Sequence, residues 1–416
     1  MGLIRKRRKE AQIRIRDSWQ KSEKYYAKGV LIEVRNGKGA LREVYGSTKQ
    51  ASFMTLMFGD KPLFQLQGEE YFSPTCEKMI RSGYGLEQSE EFFQNKLNEN
   101  VDNVSFLEAV EGIKPILGLL KSGYYIIVET RLYPTDGSGH LFCEIPDSHE
   151  YLPGTCMYYY GDLSWGENRP HFTAGTEPYE KLKEDRIEYY EKHPGARALA
   201  YYMDGYMTAL IDGHHKAMAA ARMHKDFDAL VIIPCGKYRI RNDNGQYEAY
   251  IGRDTFRWSC NEYGLDWNLA EADGAAERFG EKEINQILYQ IDKKQKNDVT
   301  KVFCELAAYY PTADEAAALD KTGENLEGRI QKILDGESFA DVQYLIKALV
   351  ILKHPRTLET ADYLIHQEKY RDYRYLILKE MVKLEKTEKM EKWMLNTMIE
   401  FEDDSPEIRD LILDYL

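Results

Sequence analysis

The sequence predicts an α+β protein built as a mixed N-terminal part, a central mixed module and an all-helical remainder. Three observations carry that prediction. Short runs of β-branched and aromatic residues punctuated by Gly and Asn dominate the first half of the chain. The stretch Leu210-Ile211-Asp212-Gly213-His214-His215-Lys216 joins an apolar strand to an alanine-rich helix through one glycine. From Glu281 onward, apolar residues recur at helical spacing and strand signals stop. The expected parts are a basic arm over 1-28, an α+β region over 29-154, the central module over 155-280 and a helical domain over 281-416.

A chain of 416 residues accommodates two or three domains with a sizeable core. Its composition, 43% hydrophobic and 30% charged, is that of a globular protein. The net charge of -13 opposes general affinity for nucleic acid, because a phosphate backbone is repelled by most of such a surface. The 6 cysteines include no Cys-x-x-Cys pair, which argues against a zinc ribbon or a disulfide framework. No apolar run approaches the roughly 20 residues that span a bilayer, and the basic start lacks the apolar core of a signal peptide. The expectation is a cytoplasmic protein with no membrane partner.

In chain order, Arg5 to Lys9 open the basic arm, which reads through Lys24 as an arm for nucleic acid or an acidic partner or as a frayed, solvated helix. Val30 to Val34, a turn at Asn36-Gly37-Lys38-Gly39 and Leu41 to Val44 predict a β-hairpin. Pro74-Thr75-Cys76-Glu77 with Gly83 reads as a helix capped by Thr75, or as half of a metal knuckle lacking its second half. Ser105 to Leu120 predicts one amphipathic helix with Phe106, Val110, Ile113, Ile116, Leu119 and Leu120 on its apolar face, followed by a strand over Tyr124 to Thr130. Pro134 to His140 is a loop in which Asp136 and His140 form either a reactive pair or an ordinary turn. Thr155 to Tyr160 is strand-like, and Gly161 to Gly175 is an irregular segment of the length that lids use.

Thr176-Glu177-Pro178 predicts the start of a helix running to His193. Ala198 to Met203 and Tyr206 to Ile211, joined by Asp204-Gly205, predict a hairpin. A helix over Lys216 to His224 and a strand over Ala229 to Pro234 follow. Tyr238 to Arg241 and Tyr247 to Ile251 predict a further hairpin around Asn242-Asp243-Asn244-Gly245.

The candidate site lies in the glycine loop. Gly213 lets the backbone approach a ligand, and the N–H groups and dipole of the following helix favour an anion. Lys216 adds a positive charge, His214 and His215 offer donors that titrate near neutral pH, and Asp212 would orient a histidine or cap the helix. Asp212, His214 and His215 are the catalytic candidates; Gly213, His214, His215 and Lys216 are the ligand-holding ones. The plainer alternative is a structural turn with both histidines in solvent. Adjacent helical residues point about 100° apart, so His214 and His215 do not share one metal ion easily.

Helix, hairpin, glycine loop, helix and strand over Arg186 to Pro234, with Gly213-His214-His215-Lys216 at the turn, resemble the ParB/sulfiredoxin-like superfamily. That resemblance implies binding of nucleotide phosphates at the loop: ATP or another nucleotide with Mg2+, and phosphotransfer to a small molecule, for which Glu177 and Asp204 are the candidate acidic bases. Two departures matter. His214 stands where sulfiredoxin carries its reactive cysteine, so sulfinic-acid reduction is not expected. Lys216 stands where the superfamily usually has arginine, which keeps the charge and gives up bidentate geometry.

Beyond Glu281 helices are expected over Ile284 to Lys296, Val299 to Tyr309, Leu326 to Leu334, Val342 to Leu352, Leu358 to His366, Tyr373 to Leu384, Met390 to Ile399 and Ile408 to Leu416. Ile346, Leu349, Val350, Leu352 and Leu358 recur as Leu378, Met381, Val382, Leu384 and Met390. That weak repeat resembles HEAT-like arrays, which imply a protein partner on a concave face. Three functional readings result: a nucleotide- or phosphate-binding protein whose partner is a nucleotide or phosphorylated small molecule, a non-catalytic interaction scaffold acting through the C-terminal helices, or, against the acidic net charge, DNA binding through the basic arm.

Overall fold

A computed structural model describes residues 10–20, 27–47, 52–66, 76–84, 101–135, 141–143, 172–177, 179–204, 207–235, 246–251, 254–259, 266, 269, 277–284, 326–337, 342–401 and 406–416. The chain is α+β and divides into two units, Met1–Thr312 and Ala313–Leu416. The boundary expected at 280/281 falls inside the first unit.

In chain order the first unit contains β1 (Gln12–Trp19), β2 (Lys28–Arg35), β3 (Leu41–Ser47), β4 (Ser52–Phe58), β5 (Lys61–Leu66), α1 (Cys76–Tyr84), α2 (Phe106–Gly112), α3 (Lys114–Leu117), β6 (Gly123–Leu132) and β7 (Phe172–Gly175). It continues with α4 (Glu184–Lys192), β8 (Ala198–Asp204), β9 (Met207–Asp212), α5 (His214–Arg222), β10 (Phe227–Pro234), β11 (Gln246–Ile251), β12 (Asp254–Ser259) and β13 (Glu277–Phe279).

Seven strands form the main sheet in the order β1-β2-β6-β10-β8-β9-β7. The β10 strand pairs parallel with β8 and antiparallel with β6. It is an apolar run, and Ala229, Leu230, Val231, Ile232 and Ile233 are all buried, as befits a strand covered on both faces. One face carries Leu31, Tyr124, Ile126, Val128, Ala200 and Val231, packed with Ile187 and Tyr190 of α4 and Ala217 to Ala221 of α5. Small side chains let α5 lie close to the sheet. The α1 helix touches β9. Because β2 and β6 share a sheet with β8, β9 and β10, this sheet crosses the boundary expected at 154/155.

Several expectations change. The polar segment read as a frayed helix contains β1, an exposed edge strand paired antiparallel with β2; Arg5 to Lys9 lie outside the described residues. The hairpin expected across Asn36-Gly39 does not form. Both edges of β2 are taken by β1 and β6, and the link donates instead to another segment, Lys38 N–H to Gly118 O at 3.0 Å and Gly39 N–H to Leu120 O at 3.0 Å. The β3 strand thereby enters a second sheet, ordered β13-β3-β4-β5. The helix expected over Ser105 to Leu120 is broken at Ile113, just before Pro115, which has no N–H to give and crowds the preceding turn. Its six predicted apolar residues are buried all the same. Ser105 and Glu108 form a reciprocal capping box at its start. The β11 strand pairs with β12, so Tyr247 to Ile251 find their partner downstream; Tyr238 to Arg241 lie outside the described residues, as do Thr75, Asp136, His140 and Thr155 to Tyr160. The segment Gly161 to Gly175 ends in a strand, β7, paired parallel with β9.

The second unit contains α6 (Leu326–Leu334), α7 (Val342–Ile351), α8 (Thr357–His366), α9 (Arg374–Met381), α10 (Glu388–Glu400) and α11 (Pro406–Tyr415). A 3-10 segment, Glu368–Tyr373, precedes α9. Ile346, Leu349, Leu378, Met381 and Met390 of the weak repeat all enter one apolar core. The helices expected between Ile284 and Tyr309 lie outside the described residues, apart from Ile284 itself, which is buried. Among the described residues no helix is long and apolar enough to cross a membrane.

Candidate functional site

The predicted order of elements around the glycine loop is present: α4, the antiparallel pair β8 and β9, Gly213, α5, then β10 parallel to β8. Gly213 has φ 102°, the left-handed region that glycine favours. A Cβ there would stand 2.6 Å from the Ala198 Cβ on β8, so the position demands glycine twice over. The first bond of α5 runs from Ala217 N–H to Gly213 O at 2.9 Å. The N–H groups of His214, His215 and Lys216 precede that bond and have no partner within the helix.

Both imidazoles act as acceptors. His214 Nε2 accepts the Thr176 N–H at 3.1 Å, and His215 Nε2 accepts the Lys183 N–H at 3.0 Å. Each neutral ring therefore carries its proton on Nδ1. The two bonds fasten the two ends of the segment between β7 and α4 to the first turn of α5. Thr176, expected to cap a helix, instead donates its hydroxyl to Leu210 O at 2.6 Å. A 3-10 turn, Tyr179–Lys181, follows, and α4 begins only at Glu184 without a side-chain cap.

Burial pushes the His214 pKa down to about 3, with Lys181 adding to the effect. Burial also pushes His215 down to about 3, aided by Arg186, His214 and Lys183 and opposed by Asp185. The expectation that these histidines titrate near neutral pH is therefore corrected: a ring whose Nε2 receives a backbone N–H in a desolvated site stays neutral. The expectation of histidines in solvent fails too, since His214 is buried and His215 half-buried. Lys181, Lys183 and Arg186, which the sequence reading did not single out, surround the pair with positive charge.

Lys216 does not face the loop as a free cation. Its Nζ lies 2.9 Å from both carboxylate oxygens of Asp102 and 2.5 Å from Arg197 O. Asp102 also accepts the Arg197 N–H at 2.8 Å, and the Arg197 guanidinium reaches Val101 O and Val104 O at 2.8 Å each and Glu129 at 2.6 Å. Asp102 and Lys216 are both buried. Nothing in the sequence paired Asp102 with a lysine 114 positions away.

Two carboxyls stand beside the loop. Asp212 ends β9 and is half-buried, and its carboxyl makes no hydrogen bond or ion pair with the described residues. Burial pushes its pKa up to about 6; Lys216 and Arg186 pull it down, Glu177 and Asp102 push it further up. Glu177 Oε2 lies 3.8 Å from His214 Nδ1, and its Oε1 lies 3.8 Å from Lys181 Nζ. Asp204, the other carboxyl suggested as a base, sits at the far end of β8 opposite Met207, six residues and about 20 Å from the Ala198 end where Gly213 packs. It is not part of this constellation. Among the described residues no group of three or more His, Cys, Asp or Glu side chains is arranged to hold a metal ion.

Fold and site together define an α+β protein with a glycine-initiated helix, two carboxyls beside the loop and three cations near its histidines. No family model, curated protein or solved structure matches this chain.

Proposed function

We propose that the first unit binds a nucleotide or another phosphate-bearing small molecule at the start of α5, in the manner of the ParB/sulfiredoxin-like superfamily. The observation that carries this reading is the convergence of an α5 N-terminus, opened by a left-handed Gly213, with Lys181, Lys183 and Arg186. Helix N–H groups and the dipole favour an anion, and the three cations add to that field. The order of elements from α4 to β10 supports the same superfamily. ATP or ADP with Mg2+ and phosphotransfer to a small molecule is the chemistry this site suits, with Asp212 and Glu177 as the proton-accepting groups. The phosphate-holding charge shifts from Lys216, which is engaged with Asp102, to Lys181, Lys183 and Arg186.

Thermal shift with ATP, ADP, CTP and GTP tests the reading. A one-site ligand at 100 times its Kd should stabilise the protein by about 2.7 kcal/mol. The Lys183→Ala/Arg186→Ala double variant should lose tenfold or more of the affinity. A melting temperature that no nucleotide moves would sink the idea.

A scaffold role for the second unit has one observation in its favour. Leu395 and Ile399 stand one turn apart on α10, and both are exposed, Ile399 by 64%. Exposed apolar positions of this kind suit a partner helix. Capture of a partner by the full chain that is lost in Leu395→Glu/Ile399→Glu would favour that reading.

A further inference from the structure

Lys216 stands within electrostatic reach of two carboxyls, yet bonds only one of them. Its ammonium is divided between Asp102, gripped through both oxygens at 2.9 Å, and Arg197 O at 2.5 Å. The Tyr190 ring flanks it, with the centroid 5.4 Å from Nζ. Asp212 lies on the same loop and feels the Lys216 charge without bonding to it. An ammonium has three donors, and these three acceptors use the available directions. Asp102 is itself fixed from a third side by the Arg197 N–H, and the Arg197 guanidinium clamps the 101–104 turn that carries it. The grip on Lys216 is therefore rigid.

The geometry points to Asp102 as a positioning residue: by holding the Lys216 ammonium against the start of β8, it keeps that cation off Asp212 and reserves the Asp212 carboxyl as the proton-exchanging group of the site. The groups that face Asp212 are Lys216 and Arg186, which favour its charged form, and Glu177 and Asp102, which oppose it. With Lys216 drawn to Asp102, the carboxylates and burial prevail. A carboxyl in that state takes up and releases a proton close to neutral pH, whereas one paired with lysine stays ionised. The use of this carboxyl rests on the reading of the site as a phosphate-handling one; the charge arrangement does not.

Carboxyl NMR of full-length protein labelled with 13C-aspartate, with Asp212→Asn to assign the signal, reads the arrangement without any ligand. In the unsubstituted protein Asp212 should titrate near pH 6, in line with its raised pKa of about 6. Asp102→Asn should lower that midpoint by about one unit or more, since it frees Lys216 and deletes a like charge. Lys216→Met should raise it. A midpoint at the ordinary aspartate value of about 3.9 in the unsubstituted protein would overturn the inference whether or not the variants fold. So would an Asp212 midpoint that neither substitution moves. ATP added to the same samples addresses the binding reading separately: the expected titration with no response to ATP removes that reading and supports the role of Asp102.

Discussion

His215 Nε2 accepts the Lys183 N–H at 3.0 Å, and one residue earlier His214 does the same for Thr176. Two adjacent imidazoles, diverging as neighbours on a helix must, thus hold the two ends of one connecting segment. The bonds require neutral rings, because a protonated imidazole is a donor at both nitrogens. The histidine pair is accordingly a clasp that works only while unprotonated.

Stability should fall as pH drops through the window between the unfolded and folded histidine pKa values, about 6.5 and about 3. There the unfolded chain binds more protons, so each ring costs about 1.4 kcal/mol per pH unit. Asp212 acts in the opposite sense between about 6 and its ordinary 3.8, because its folded pKa is raised. His214→Gln/His215→Gln keeps an acceptor at each position and removes the titration. Urea unfolding at several pH values should show the variant losing about 2–3 kcal/mol less per pH unit than the parent between pH 6 and 4. Parallel curves would disprove the clasp.

Gly213→Ala should destabilise the first unit by about 2–5 kcal/mol. The left-handed φ costs about 1–2 kcal/mol for a residue with a Cβ, and crowding against Ala198 adds an overpacking cost of about 1–3 kcal/mol. Gly195→Ala is the control, since its φ is also positive, 92°, but nothing lies within 4 Å of a Cβ there. The difference between the two variants in chemical denaturation isolates the Ala198 contact. Equal losses would show that the backbone angle alone matters.

Arg197→Lys should cost about 2–4 kcal/mol despite keeping the charge. One guanidinium serves Val101 O, Val104 O and Glu129 together. A lysine has a single nitrogen and cannot reach all three, so buried acceptors are left without donors. Hydrogen exchange localises the effect: amides of the 101–104 turn should lose protection in Arg197→Lys before those of β10 do. Uniform loss across the sheet would argue that Arg197 supports the fold as a whole.

The parts of this architecture that were legible in the sequence are those set by local chemistry. The hairpin of β8 and β9, Gly213, α5 and β10 follow from alternation, a glycine at a strand-to-helix turn and an alanine run, and the six apolar positions between Phe106 and Leu120 follow from helical period. What could not be read depends on pairings distant in sequence. The Asn36-Gly39 link looks like a hairpin turn until β1 and β6 occupy both edges of β2. Lys216 looks like a free cation until Asp102 is brought beneath it from a different part of the chain. At the site, residue types identified the loop correctly as unusual but not the state of each group, since burial that turns histidines neutral and an aspartate basic is a property of the packed structure.

In the second unit, His366 ties the end of α8 to the end of α10. Its Nε2 lies 3.0 Å from Glu400 and its Nδ1 lies 2.6 Å from Asp362 O. Partial burial works against the charged ring, but the Asp362 carbonyl and the Glu400 carboxylate outweigh it and raise the pKa above 6.5. A histidine with a raised folded pKa stabilises fully below its unfolded pKa and loses that contribution as pH rises through the folded one. The pair is more than a third exposed, so solvent screening limits it to about 0.2–1 kcal/mol. Glu400→Gln should remove most of this contribution at pH 5.5 and little at pH 8.5, with the difference shrinking further in high salt. An imidazole 1H–15N titration of His366 gives the direct check: the midpoint should lie above 6.5 in the parent and fall in Glu400→Gln, and a midpoint at or below 6.5 in the parent would contradict the clasp between α8 and α10.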